Sequence, residues 1–195
     1  MKMEFSPIVL DGRHVRLEPL TLDHLAPLCE VAFDPELWRW TLAQVRDRAD
    51  LERYLKTALA WREAGTALPF ATCSRAEGRV VGSTRFANID RESRRAEIGW
   101  TWIGRPWQRT AINTEAKLLM LGHAFEVEGC IRVELKTDVL NEKSRTAIRR
   151  LGAQEEGIFR HHGICESGRL RDTVYYSILR EEWLAARSNL EAKLR

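Results

Sequence analysis

A carboxylate, a hydroxyl and a turn of unpaired backbone amides are the groups of this chain best placed to do chemistry. Residues 95–102 read as a strand, with Ala96, Ile98, Trp100 and Trp102 on one face and Glu97, Gly99 and Thr101 on the other. An ionisable side chain among small and apolar strand residues is uncommon, which makes Glu97 the candidate general base. The plainer alternative is a half-exposed Glu paired with a neighbouring arginine. Past that strand, Pro106-Trp107-Gln108-Arg109-Thr110 form a polar turn, and Ala111-Ile112-Asn113-Thr114-Glu115-Ala116-Lys117 lead into an apolar helix. The first N–H groups of a helix lack helical partners and sit at the positive end of its dipole, so this start suits an anion. Asn141 and Ser144 open another helix. Asn supplies both a donor and an acceptor, and it is also a good helix cap.

The elements that must position these groups follow from periodicity and punctuation. Residues 13–18 alternate, with Val15 and Leu17 inward, as a strand. Thr21 is the N-cap of a helix carrying Leu25, Leu28, Cys29 and Ala32, kinked or begun late because of Pro27. Leu51, Tyr54, Leu55, Ala58 and Leu59 mark a clearer helix that Gly65 ends. Residues 34–47 hold Trp38 and Trp40 without a period and read as an irregular or mobile segment. Strands over 70–74, 79–86 and 95–102, joined by turns at 76–78 and 89–93, make an antiparallel meander. A helix over 113–127 is apolar nearly all round and so should be the most buried. Residues 131–137 form a strand, 141–151 a helix stopped by Gly152, and 154–162 and 172–179 two strands around the turn 163–168. A last helix, 181–194, carries Trp183, Ala186, Leu190 and Leu194 on one stripe, which packs on the domain or on a second subunit.

Composition narrows the class. The chain has 195 residues, a net charge of +3, and 44% hydrophobic and 30% charged residues, which fits one soluble globular domain. The charge is too mild, and the arginines too mixed with acids, for direct nucleic-acid binding. No apolar run is long enough to span a bilayer, and the N-terminus lacks the apolar core of a signal peptide. Cys29, Cys73, Cys130 and Cys165 are far apart and read as reduced, mostly buried thiols of a cytoplasmic protein. The histidines have no ligand spacing, so no metal is expected. His161 and His162 are adjacent and should point to opposite faces of a strand.

The spacing Gln108-x-x-Ala111-x-Asn113 resembles the pyrophosphate loop of the GNAT acyltransferases, Gln/Arg-x-x-Gly-x-Gly/Ala. With Asn113-Thr114-Glu115-Ala116-Lys117 it looks most like the ribosomal-protein-type (RimJ/RimL-like) branch. Ala111 and Asn113 stand where that loop has small residues, usually glycine. The run Asn141-Glu142-Lys143-Ser144-x3-Ile148-x2-Leu151-Gly152-Ala153 is similar to the family's second signature. The resemblance implies a single-domain α/β GNAT fold over 1–195, with a mixed, mostly antiparallel sheet, a core at about 10–179 and an added C-terminal helix.

It also implies a reaction. Acetyl-CoA is the donor, held at Gln108, Arg109, Thr110, Ala111, Ile112, Asn113 and Thr114, along Trp100, Thr101, Trp102 and Ile103, and by Asn141 and Ser144. A primary amine of a small molecule or a protein N-terminus attacks the thioester directly. Glu97 removes the proton. Ser144 protonates the leaving thiolate, because Ile148 occupies the position of the family's usual tyrosine. Trp102 and Trp107 pack on the cofactor or fill space. The residues that select the acceptor come from 34–47 and 163–168. Rival readings are a different donor such as succinyl-CoA, and a CoA-binding or partner-binding module without catalysis.

Overall fold

The computed structural model describes residues 3–195; the first two residues of the polar N-terminal stretch lie outside the described residues. Alternation builds the first edge. In β2 (Val15–Pro19) Val15 and Leu17 are fully buried, and the strand pairs antiparallel with the short β1 (Leu10–Asp11) and with β3 (Leu68–Ser74). The meander continues through β4 (Arg79–Asp90) and β5 (Arg95–Ile103). β4 outruns the expected end at Phe86 because Ala87 and Ile89 are still buried, which leaves a tighter turn at 91–94. Three more strands complete the sheet: β6 (Arg132–Asp138), β7 (Gln154–Ile164) and β8 (Leu170–Leu179). The order is β1-β2-β3-β4-β5-β6-β8-β7, with all neighbours antiparallel except β5 and β6.

Helices cover both faces. On one side lie α1 (Leu25–Ala32) and α2 (Arg48–Glu63), which enclose a core of Leu20, Leu28, Trp38, Leu51, Leu55 and Trp102. A 3-10 turn at Leu22–His24 precedes α1, so Pro27 falls in the first turn of the helix, where its missing N–H breaks no helical bond. Asp47 caps α2 by accepting from the Asp50 N–H at 2.8 Å, and Gly65 leaves it at φ 71°. On the other side lie α3 (Ala111–Gly122), α4 (Glu142–Arg149) and α5 (Trp183–Ala192), over a larger core that includes Phe70, Phe86, Ile98, Met120, Val133 and Tyr176.

The long apolar helix starts two residues earlier than the periodicity suggests and ends at Gly122 in a π turn, His123–Val127. Glu115 on α3 accepts the N–H groups of Arg13, His14 and Val15, which ties the helix to the β1–β2 corner. The stripe Trp183, Ala186 and Leu190 packs within the domain, where α5 lies against α3. Residues 34–47 lack regular structure beyond a short turn at Pro35–Leu37, yet Trp38 is buried and its indole donates to the Ala32 carbonyl at 2.6 Å. This segment is therefore anchored at its centre by a core tryptophan.

Two irregularities in β5 shape the rest. First, β5 pairs with the parallel β6 only at Arg95↔Arg132, Ala96↔Val133 and Glu97↔Glu134, and beyond Glu97 the two strands part. Second, Ser83↔Trp102 and Arg85↔Gly99 span three steps on β5 against two on β4. The extra residue is a β-bulge, with Trp100 at φ 48°. The bulge overturns the expected sharing of faces. Ile98 and Ile103 join the core under α3 and Thr101 reaches α3, whereas Trp100 and Trp102 face α1 and α2. Strict alternation from Ala96 placed Trp100 and Trp102 with Ile98, and one inserted residue reverses that.

Candidate active site

Glu97 lies where β5 and β6 part and is 2% exposed. It is not the half-exposed surface residue of the plainer reading. Its Oε2 accepts from Asn88 Nδ2 at 2.7 Å and pairs with Lys136 Nζ at 2.8 Å. Its Oε1 takes no hydrogen bond from the described residues and points over Gly99, where an added Cβ would stand 2.9 Å away. Gly99 thus leaves one oxygen of the carboxylate uncovered beside the bulge. Burial pulls the Lys136 ammonium down, but Glu97 and Tyr175 together offset that and hold its pKa above the ordinary value. Glu97 and Lys136 are a charged pair, with Lys136 also 5.8 Å from the Trp100 ring centre and 5.5 Å from that of Tyr175.

On this face Trp100 closes an aromatic box. Arg85, 1% exposed, lies over Tyr54, Trp61 and Trp100 at 4.9, 5.4 and 5.3 Å. The Tyr54 hydroxyl donates to the Trp100 carbonyl at 3.4 Å. Trp102 turns into the α1–α2 core against Trp38, with ring centres 5.3 Å apart. Its side chain is core, which is the space-filling role of the two weighed for it. Trp107 is half-buried at the surface; its indole donates to Glu77 at 2.6 Å, and Arg79 covers its ring.

The turn before α3 is built as the spacing implies. Gln108 Nε2 donates to the Ile103 carbonyl at 2.9 Å, Arg109 takes φ 60°, and Thr110 caps the helix by accepting from the Ile112 N–H at 3.3 Å. Asn113 turns toward a small crevice lined by Thr114, Ala147, Leu151 and Leu190, and its buried Oδ1 has no partner among the described residues. Its bulk therefore lies away from the helix start, and Ala111 adds only a methyl group there. Deeper on α3, Lys117 is 5% exposed and donates to Thr84 at 3.0 Å and to Thr101 at 2.7 Å. Burial without a carboxylate pulls its pKa down to about 7.

Asn141 caps α4 by accepting from the Ser144 N–H at 3.1 Å. Ser144 is half-buried one turn before Ile148, which is packed into the main core. The two loops expected to select the acceptor meet: the Glu166 N–H donates to the Leu42 carbonyl at 3.0 Å, and Arg169 lies over Trp40 at 5.4 Å. His161 takes φ 49° in an irregular part of β7, and His162 packs against Tyr175. Strict alternation of the two rings therefore does not apply there. An open surface groove along the β7–β8 hairpin is lined by Ile158, Phe159, Arg160, His161 and Asp172, and it includes neither Glu97 nor the start of α3.

Asn88, Lys136, Arg85, Tyr54 and Trp61 did not emerge from the sequence. Lys136 alone carried a signal, since it follows Glu134 at strand spacing and so shares its face. Lys117 carried another, as a charge inside an otherwise apolar helix.

Known proteins resemble this arrangement. Residues 14–154 match the family model described as an acetyltransferase (GNAT) domain. A GCN5-related N-acetyltransferase from Brucella melitensis superposes with a TM-score of 0.92 at 32% identity, covering 100% of this chain and 88% of that one. YdaF of Bacillus subtilis (strain 168), provisionally named a ribosomal N-acetyltransferase, is 38% identical over 107 residues, or 55% of this chain and 57% of that protein. RimJ of Mycobacterium smegmatis, solved in complex with CoA-disulfide, shares the fold at a TM-score of 0.80 and 24% identity, covering 97% and 94%.

Proposed function

The chain belongs to the GNAT acetyltransferase family, and from that premise we propose that it transfers an acetyl group from acetyl-CoA to a primary amine. The observation that carries this reading is the open edge of β5. Past Glu97 that edge has no strand partner among the described residues, Trp100 forms a bulge in it at φ 48°, and the Glu97 Oε1 without a hydrogen bond points over the adjacent Gly99. A strand edge without a partner offers N–H and C=O groups to an extended, amide-bearing arm. The first turn of α3 offers its N–H groups to a pyrophosphate. Gln108 and Thr110 shape that turn, Asn113 leaves it clear, and Asn141 and Ser144 stand at the start of α4, which packs beside β6.

Direct transfer needs no covalent enzyme intermediate. The neutral amine attacks the thioester carbonyl, a C–N bond forms and the C–S bond breaks. The amine's proton passes to Glu97 Oε1, directly or through one water, and the departing thiolate takes a proton from Ser144 or from water. Lys136 and Asn88 fix Glu97 through its other oxygen, so the accepting oxygen is held in place. The acceptor lies on the α1–α2 side, between the meeting loops around Leu42 and Glu166. Four cysteines without disulfide partners suit the reducing cytoplasm.

The test joins binding to turnover. Acetyl-CoA should raise the melting temperature, because a ligand bound only to the folded state stabilises it. A panel of primary amines should then release free CoA thiol in step with acetylated product. A melting temperature unmoved by saturating acetyl-CoA would overturn the reading.

A further inference from the structure

Several charged side chains gather on the α1–α2 face of the sheet around Glu97. Glu97, Lys136, Asp138 and Arg171 stand on this face of β5, β6 and β8, by the pairing Lys136↔Tyr175 and Asp138↔Thr173 and the strand period. Arg85 comes from β4 and Arg169 from the turn before β8. Lys136 is paired with Glu97, and Asp138, fully buried, is paired with Arg169. That leaves Arg85 and Arg171 without an ion pair among the described residues.

Both lack more than an ion pair. Arg85 Nε and Nη2 and Arg171 Nε are buried with no hydrogen-bond acceptor. Arg85 rests its charge on three ring faces, which compensates a cation in part and leaves its donors unused. Arg171 has no ring over it and no ion pair, and it is half-buried, so an incoming group can reach it. Burial lowers its pKa below the usual guanidinium value despite the nearby Asp138 and Glu97. Buried donors left unpaired are costly, and a guanidinium fork fits a carboxylate in two parallel hydrogen bonds. Aromatic side chains border the same basin, Trp40 over Arg169 and Tyr175 beside Lys136. Among these charged side chains, Arg85 and Arg171 are the two cations left without an anionic partner within ion-pair distance.

We propose that the acceptor is a primary amine that carries a carboxylate, and that Arg171 receives this carboxylate while the amine faces Glu97. This rests on the acetyl-transfer reading above and adds the class of acceptor. The same chemistry has two sources: the α-carboxylate of a free amino acid, or an acidic side chain next to the N-terminal amine of a peptide.

The experiment compares matched pairs. One arm sets α-amino acids against their carboxamides; the other sets short peptides with Asp as second residue against those with Asn. For the favoured source, the carboxylate member should exceed its partner in kcat/KM by about tenfold or more, as charged hydrogen bonds warrant. Arg171→Met should bring that ratio toward one, mainly through KM, and Arg171→Lys should restore part of it. Melting temperatures of all variants, taken with CoA and each compound, report binding without turnover. If no amine in either arm is acetylated, the acetyl-transfer reading fails, while preferential stabilisation by carboxylates that Arg171→Met removes still supports the role of Arg171. Equal rates and equal stabilisation for carboxylates and amides, or a preference that survives in Arg171→Met, would overturn the proposal.

Discussion

The two sides of the β5 bulge are built by different means. Toward α3 and α4 the working parts are mostly backbone: a strand edge without a partner, a helix start, and two short-range caps at Thr110 and Asn141. Toward α1 and α2 they are side chains, drawn from α2, β4, β5, β6, β8 and two loops, and held by buried charges and ring faces. The first side suits a constant ligand. The second can change residue by residue without disturbing the strand that both share.

The largest test of this contrast is Glu97→Gln. The amide keeps the shape and the bond to Asn88, yet it cannot take a proton. Turnover should fall by roughly 10²-fold while acetyl-CoA still raises the melting temperature, because the two sides separate chemistry from donor binding. Equal losses in turnover and donor affinity would break the division.

Ala111→Glu attacks the other side. An acid in the first turn suits the helix dipole, so the fold should be kept, but it repels a pyrophosphate. Acetyl-CoA affinity measured by calorimetry should fall about tenfold or more, a change of about 1.4 kcal/mol. Unchanged affinity would remove the α3 turn from the donor site.

Ser144→Ala should cost less. A thiolate leaves readily, so losing one hydroxyl donor should lower kcat by a few-fold, on the order of a weak general acid. A normal rate would assign the proton to water. Ile148 offers no substitute, because a tyrosine there would have to enter the packed core beneath α4.

The smallest effect concerns Lys117, which lies between the two sides beneath Thr101. Its folded pKa, about 7, is far below the ordinary lysine value of 10.5, because burial disfavours the charge. Between these two values the unfolded chain binds more protons than the folded one, so stability rises as pH goes from about 7 to about 10.5. At pH 7 and below, the cost of burying the charge is fully present. Lys117→Met should therefore raise the melting temperature at pH 7, by roughly 3 °C or more. The gain should shrink as the pH climbs toward 10. A melting temperature that falls at every pH would mean that the bonds to Thr84 and Thr101 outweigh the burial cost.

The local structure at the starts of α3 and α4 was legible in the sequence, because its signals are local. Gln108 to Thr114 are one continuous stretch that runs through the Thr110 cap into the first turn of α3, and Asn141 caps its own helix three residues on. The strands and helices were legible for the same reason, with errors at ends: β4 ran on to Asp90 because apolar residues continue, and α3 began at Ala111 because Thr110 caps it. The partners of Glu97 were not legible. Asn88 lies across a strand pair, and Lys136 lies across the one parallel pairing of the sheet. The face of Trp100 was misread, because nothing in Glu97-Ile98-Gly99-Trp100 announces an inserted residue. Gly99 is the nearest hint, and its reason is the Glu97 carboxylate beside it.

That inserted residue is a phase shift in the reading of the strand. Upstream of it, odd positions face α1 and α2; downstream, even positions do. Deletion of Trp100 alone would therefore leave a regular strand in which Trp102 still meets Trp38 and Thr101 still reaches Lys117, and it would lose the Trp100 ring over Arg85. Two chains aligned through this strand with a gap of one at the bulge keep the same face in every flanking column, whereas a bulged strand aligned without a gap to a regular one sets opposite faces side by side from Trp100 onward. Comparisons of substrate preference among relatives should be indexed from the bulge outward in each direction, with Trp100 as the origin.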